Sequence, residues 1–367
     1  MNTDVNMSSY PKIQLIGCAK NEAAYLPEWI FYHLQLGFAS IKVYVNNTDD
    51  NSVKVLDKII NQYPSVEYVV ADDLIMSPPK DYEQKTNPHF FQTNSVQAIS
   101  YTHALETRSD EFDFIMFLDI DEFFYPLKKM GDIFARSKSH NSLAQRFNWL
   151  LLSGDNEEFC SLAKCQKGYI DSSFKSAVPN LDSEIRAEDP HRFSINGEIG
   201  DLSEDGLVFH RVLRSKKEYL FLLARSTSDS QSKLANGFKK NRRGWTNKGK
   251  DVKQFDVKFD DSYDDNFRDF VAQCDIAVEI DFARDAILTK YDTIVEDIRQ
   301  INLQNLELTR SLAGLDISHV STWKTALLKS FWSMLRITWP RLILSHETLK
   351  SAIKAKLKHA LDIFRTT

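Results

Sequence analysis

Four short apolar runs constrain this chain more than any other feature. Residues 13–18, 41–45, 66–70 and 114–118 are β-rich, and the stretches between them at 25–36, 53–62 and 94–107 carry apolar residues at helical spacing. That alternation predicts βαβ units, hence an α/β fold with a mostly parallel sheet flanked by helices. Each run also stops at polar residues: Lys20, Asn21 and Glu22 after the first, Asn46 to Asp50 after the second, Asp72 and Asp73 after the third, Asp119 after the fourth. In open parallel sheets ligands bind in the crevice outside the carboxyl ends of the strands, so these side chains gather where a ligand would lie.

The phosphate-binding loops common in such folds are missing. The sequence has neither a G-x-G-x-x-G nor a G-x-x-x-x-G-K-[ST] pattern. Phosphate charge must be met another way, and a cation held by carboxylates is the obvious one. The fourth run reads IMFLDIDEFF and breaks at Asp119, Asp121 and Glu122. Hard oxygen ligands at a strand end suit Mn²⁺ or Mg²⁺, with substrate phosphates completing the shell. If the backbone stays extended, Asp119 and Asp121 share one face. D-x-D alone also describes an acidic surface turn; its place at the end of a buried strand favours the metal reading.

Several separate segments together resemble one family. CAKNEAAYLPEWIFYHLQLGF, VYVNNTDDNS, the D-x-D-E-F motif, Gln97 in the preceding helix, FKSAVPN, His191 and FHRVLRSKKEYL are similar, in order and spacing, to the GT-A glycosyltransferases of family-2 type and within them to the family 92 (DUF23) group. The resemblance spans about residues 13–220. It implies a GT-A, Rossmann-like fold and a nucleotide-diphosphate sugar donor, UDP-hexose being favoured, with inversion at the anomeric carbon. It also implies donor contacts from Lys20, Asn21, Glu22, Asn46, Asp50, Asp72 or Asp73, Asp119, Lys175 and His191. Asp121 would bind the metal directly, Asp119 would lie nearer the ribose or a metal-bound water, and His210 would complete the metal or pyrophosphate site. Asp155 and Glu157, following Trp149, are candidates for the catalytic base by position. The family's Tyr after the His is replaced by Arg211, and its Lys-Ser pair reads Arg214-Ser215. For Asn46 and Asp50 a plain turn, and for His191 and His210 a structural role, stand beside these readings.

The chain of 367 residues divides on pattern into a transferase domain, 1–282, and a helical C-terminal appendage, 283–367. Residues 13–125 form the donor half of the first and 126–282 the acceptor half. A charge-rich stretch, 226–265, holds Lys239, Lys240, Arg242 and Arg243 and then Asp260, Asp261, Asp264 and Asp265, and reads as a solvated loop or flap. The net charge of -5 gives no bias toward nucleic acid. Four cysteines without a C-x-x-C pair fit a reducing, cytoplasmic setting and no zinc site. From Thr322 to Thr367 nine Lys and Arg stand against Glu347 and Asp362, a net of +7, among Trp323, Phe331, Trp332, Leu335 and Trp339. A basic aromatic segment of this kind lies on an anionic membrane as a peripheral contact, or packs on the catalytic domain or a second subunit.

The expected function is a metal-dependent, inverting hexosyltransferase acting on a glycan or lipid-linked acceptor in surface polysaccharide biosynthesis. A metal-dependent nucleotidyltransferase or phosphohydrolase, and a non-catalytic glycan- or membrane-binding scaffold, are the competing classes.

Overall fold

A computed structural model describes residues 10–76, 78, 95–139, 143–153, 157–165, 167–181, 184–224, 238, 242, 244–245, 250–255, 257–300 and 310–315. The four apolar runs are strands β1 (Ile13–Ala19), β2 (Ser40–Val45), β3 (Val66–Val70) and β4 (Phe114–Asp119), hydrogen-bonded in parallel in the order β3-β2-β1-β4. The central strands β1 and β4 read as continuous apolar runs because both faces are covered, while the edge strand β3 is partly exposed. Along β4, Phe114, Met116 and Leu118 join one core, while Ile115 and Phe117 join the other. The first core is roofed by helices α1 (Leu26–Gln35) and α2 (Ser52–Gln62). Beyond β3 comes the short helix α3 (Ala71–Met76), and α4 (Val96–Glu106) lies over the second core, its start capped by Ser95, which accepts the Ala98 N–H.

The second half turns the sheet from parallel to mixed. After β4 the chain makes a two-residue turn at Ile120 and Asp121 into β5 (Glu122–Pro126), then α5 (Met130–Ser139), β6 (Gln145–Leu152) and the long β7 (Lys167–Pro179). Strand β7 returns antiparallel against β4, with Met116 opposite Ala177, and also against β6. Continuing that register brings Lys175 level with Leu118, at the carboxyl end of β4. Strand β11 (Gly206–His210) runs parallel to β6 and antiparallel to β5, with His210 opposite Glu122. A separate three-stranded sheet is made of β8 (Ile185–Ala187), β9 (Phe193–Ile195) and β10 (Glu198–Ile199). Strand β12 (Lys253–Gln254) pairs with β7.

Helix α6 (Lys216–Ala224) follows β11, and α7 (Tyr263–Gln273) and α8 (Ala277–Gln300) close the described chain apart from residues 310–315. The expected domain boundary near residue 282 therefore falls inside α8. That helix packs on α6 and α2, and Asn51 Nδ2 donates to Glu279 O at 2.9 Å, so α8 is continuous with the first body. Residues 316–367, with the basic aromatic segment, lie outside the described residues. Among the described residues no helix is long and apolar enough to cross a membrane.

Candidate active site

The loops that end β1 and β2 are laced together before any ligand is considered. Asn21 takes a left-handed backbone, φ +54, a conformation asparagine tolerates better than most residues. Its Oδ1 accepts the N–H groups of Asp49 and Asp50 at 2.7 and 3.3 Å. In return Asp50 Oδ2 accepts the Ala23 N–H at 2.9 Å, and Asp50 Oδ1 accepts both the N–H and the hydroxyl of Ser52. The Glu22 carbonyl accepts from Tyr25 and Leu26 at 2.9 Å each and so opens α1. Asn21 and Asp50 thus staple the crevice wall, while Lys20 and Asn46 lie buried just past the ends of β1 and β2.

Asp72 and Asp73 do not end a strand. They form the first turn of α3, where acidic residues favour the helix dipole, and Asp72 accepts the Asn47 N–H through both oxygens, at 3.0 and 3.2 Å. Strand β3 is the edge of the sheet, and α3 packs from it toward β2 and α4.

The D-x-D pair departs from the extended arrangement. Strand β4 stops at Asp119, and Ile120 folds into the core, 1% exposed, so the two carboxylates flank a tight turn instead of lining one strand face. Asp119 Oδ1 accepts Gln97 Nε2 at 2.6 Å, and its Oδ2 accepts Lys175 Nζ at 3.0 Å. Lys175 is itself fully buried and also lies 3.2 Å from Glu122 Oε2, which accepts the Asp119 N–H at 2.8 Å. The lysine expected at a phosphate therefore serves two carboxylates inside the protein. Burial works against ionisation of Asp119, but the Lys175 ammonium outweighs it and holds the carboxyl below its ordinary range. Burial dominates at Glu122, where the neighbouring Asp119 and Asp121 charges add to it and push the carboxyl well up despite Lys175.

Asp121 faces the other way, toward β11. Its Oδ2 lies 3.6 Å from His210 Nε2, and both side chains are nearly buried. Burial again opposes its charge, and His210 and Arg214 more than compensate, holding Asp121 well below the usual carboxylate range. Trp149 binds the two histidines into one group, its ring centroid 4.2 Å from His210 and 5.1 Å from His191. Burial and the Lys175 charge lower His191 to about 3, so its ring is neutral at ordinary pH. Ring nitrogen Nδ1 of each histidine and the Trp149 Nε1 are buried without a hydrogen-bond partner among the described residues.

Asp119, Asp121, Lys175, His191 and His210 are therefore brought together. Asp155 lies outside the described residues, and Glu157 is exposed and pairs with Lys164 Nζ at 3.4 Å. Sequence reasoning gave Trp149 and Arg214 no role in this group; Trp149 reaches it only through the β6–β11 pairing.

Residues 17–178 match the model of glycosyltransferase family 92. Over that span the chain is similar to this family. A glycosyltransferase family 92 protein of Ricinus communis is 24% identical over 221 residues, covering 58% of this chain and 34% of that protein. One of Arabidopsis thaliana is 25% identical over 105 residues, covering 29% of this chain and 15% of that protein. The chain thus spans about a third or less of these relatives. Among solved structures, the galactosyltransferase LgtC in complex with donor and acceptor sugar analogues aligns at a TM-score of 0.24 and 14% identity, over 71% of this chain and 95% of that one. A 4-diphosphocytidyl-2C-methyl-D-erythritol synthase from Anaerococcus prevotii aligns at a TM-score of 0.27 and 11% identity, over 50% and 82%. The family 92 match takes in Asp119, Asp121 and Lys175; His191, His210 and Arg214 lie beyond it.

Proposed function

We propose that this chain is a glycosyltransferase that transfers a hexose, with inversion, from a nucleotide-diphosphate sugar such as a UDP-hexose to a glycan or lipid-linked acceptor in surface polysaccharide biosynthesis. The observation that carries the reading is the separation of two carboxylates by a single turn, Asp119 neutralised by Lys175 and Asp121 turned toward His210.

The residues present fit a divalent cation. The 3.6 Å between Asp121 Oδ2 and His210 Nε2 is too long for a hydrogen bond and is a separation that two donors to one ion can have. Among the described residues no three carboxylate, histidine or cysteine groups converge. A sparse protein ligand set suits Mg²⁺ or Mn²⁺ completed by substrate phosphates. Asp121 and His210 would hold the ion, which when bound stabilises the charge of the departing diphosphate.

The remaining roles follow from charge and position. Asp119, kept ionised by Lys175 and already accepting from Gln97, is an acceptor suited to a ribose hydroxyl. Asp155 and Glu157 follow β6, whose Leu151 is the cross-strand partner of His210. One of those carboxylates takes the acceptor hydroxyl's proton as that oxygen bonds the anomeric carbon and the bond to phosphate breaks. The +7 segment and the four free thiols fit a cytoplasmic protein in peripheral contact with an anionic membrane, or one that pairs with a second copy through the C-terminal helices.

A thermal-shift screen of nucleotide sugars with and without Mn²⁺ tests the reading. One donor should raise the midpoint only with the metal, and Asp121→Asn should erase that rise. Stabilisation by no nucleotide sugar under either condition would remove the proposal.

A further inference from the structure

One polar residue interrupts the apolar run of β1. Gln14 stands between Ile13 and Leu15, and its side chain is buried, 4% exposed. Alternation along the strand sends it to the face that carries Ile16, the face of the second core. Its neighbours across the sheet on that face are polar as well: Ser40 opposite it on β2, then Lys42 two residues on, and Glu67 opposite Lys42 on β3. Helix α4 lies over this face, meets β2 at Tyr44, whose hydroxyl is 2.8 Å from His103 Nδ1, and ends at Glu106. Beyond that end Gln14, Ser40, Lys42 and Glu67 floor a cavity of about 540 Å³. Lys12, Pro64, Thr107 and Glu111 stand around its rim.

This cavity is at the amino ends of the strands, and the candidate active site is at their carboxyl ends. Strand β1 runs from Ile13 to Ala19, which at about 3.3 Å a residue sets the two about 20 Å apart. Ion pairs take up the charge around the cavity. Lys42 Nζ lies 3.0 Å from Glu67 Oε1 and Lys12 Nζ 3.9 Å from Glu111 Oε2, so the charges of the lining residues cancel. A phosphate or carboxylate would meet no surplus of positive charge there. What is unmet is neutral hydrogen bonding. A primary amide carries two N–H donors and an oxygen with two lone pairs. Among the described residues the Gln14 amide makes one hydrogen bond, from Nε2 to Ser40 Oγ at 3.5 Å, the long limit for such a contact. A buried amide in that state is destabilising, and an apolar residue would complete the strand without the penalty.

We propose that this cavity is a second binding site and that its ligand is a neutral mono- or disaccharide unit. A saccharide brings uncharged hydroxyls that both donate and accept, which a floor of amide, hydroxyl and paired ions can match. Gln14 and Ser40 make the buried contacts, and the Lys42–Glu67 pair sets a donor beside an acceptor. Ala39, Pro64 and Phe112 supply apolar surface for the C–H faces of the ring. The volume falls within the roughly 300–1,000 Å³ of small-molecule sites. The site goes beyond the glycosyltransferase reading, because a sugar held there is remote from the carboxylates after β4 and takes no part in the transfer.

The test is a ligand-observed NMR titration of the full chain with maltose, cellobiose and lactose. At least one should bind, and Gln14→Leu should weaken it roughly two- to ten-fold, the range of one neutral hydrogen bond. The same variant should unfold at the wild-type midpoint or above it, since leucine completes the apolar run, and should keep the wild-type response to nucleotide sugars. Ser40→Ala should weaken the disaccharide within the same range, and it carries the test if Gln14→Leu does not fold. Inorganic phosphate should not displace the sugar; displacement would make the cavity an anion site and overturn the inference. Binding of none of the disaccharides, or an affinity that the folded variants leave unchanged, also overturns it and leaves the glycosyltransferase reading standing. A chain that binds a disaccharide through Gln14 and binds no nucleotide sugar keeps this inference and loses the other.

Discussion

Lys175 donates to Asp119 Oδ2 at 3.0 Å from a side chain with no solvent exposure. That bond decides which half of the D-x-D pair is open to chemistry. An ammonium wedged between Asp119 and Glu122 leaves Asp121 as the carboxylate whose charge is directed at His210 and the arginines behind it. The two aspartates are two residues apart in sequence and in electrostatically different places.

Replacing Lys175 by Met keeps the volume and removes the charge. Asp119 and Glu122 then share a buried site with no counter-ion, and breaking such a pair typically costs about 3–5 kcal/mol. The sign with pH follows from Glu122, whose folded pKa is raised. The stability linked to its protonation is fully present below its ordinary range and is lost as pH rises through the raised value. Denaturant unfolding of K175M should therefore show a deficit that grows as pH rises above the ordinary carboxylate range. A deficit independent of pH would mean that lost packing, not charge, is what the variant reports.

His33 gives the opposite limb. Its Nδ1 lies 2.8 Å from Trp29 O and its Nε2 accepts the Phe124 N–H at 3.3 Å, an arrangement open only to the neutral ring protonated at Nδ1. Burial lowers its pKa to about 3, with the Trp29 bond opposing weakly. The unfolded chain takes up a proton below about pH 6.5 that the folded chain refuses, so stability falls on acidification at about 1.4 kcal/mol per pH unit between those values. His33→Gln should be less stable at neutral pH and flatter across that window. An acid limb as steep as the wild type's would show that other groups set it.

Arg211 occupies the position where a Tyr was expected, and it is a structural tie. Its guanidinium donates to Glu28 Oε2 at 3.1 Å and to the Cys160 carbonyl, while its N–H donates to Asp121 O at 2.8 Å. Glu28 in turn accepts the Leu162 N–H at 2.7 Å. Arg211→Leu strands a largely buried Glu28, and a loss of about 3–5 kcal/mol is expected in urea unfolding. Adding Glu28→Leu should restore part of it, since two apolar groups replace a pair and no lone charge remains. A double variant no better than the single one would place the cost in the Cys160 segment.

Much of the donor half was legible because its physics is local. Strands buried on both faces, as β1 and β4 are, read as apolar runs whatever surrounds them, and the boundaries of β1 to β4 agree with the runs to within a residue. The K-N-E and N-N-T-D-D loops were found as strand ends, but their main bonds run between the two loops, as from Asn21 to Asp49 and Asp50, and no sequence pattern announces such pairing. Lys175 depends on the long-range antiparallel pairing of β7 with β6 and β4, and Trp149 on the parallel pairing of β6 with β11 beside a register shift in the β6–β7 ladder between Asn148 and Trp149. Asp72 was displaced for a simpler reason: an acidic pair after a strand is equally a good first turn of a helix.

Gly17 ties the sheet to the D-x-D turn, and its replacement is the most direct test of how rigidly that turn is held. A Cβ at Gly17 would lie 2.8 Å from one Trp29 ring carbon and 3.1 Å from Ile120 Cδ1. Trp29 is fully buried and donates through Nε1 to Glu122 O at 2.8 Å, and Ile120 stands between the two aspartates. Neither neighbour is the free end of a flexible chain, so Gly17→Ala must shift the indole, the turn, or both. Overpacking of this kind costs about 1–3 kcal/mol. A donor that binds through Asp119 and Asp121 should lose affinity more in G17A than in a control of equal stability loss far from the turn, such as Val55→Ala on α2. Equal affinities in the two variants would show that the turn accommodates the methyl without moving its carboxylates.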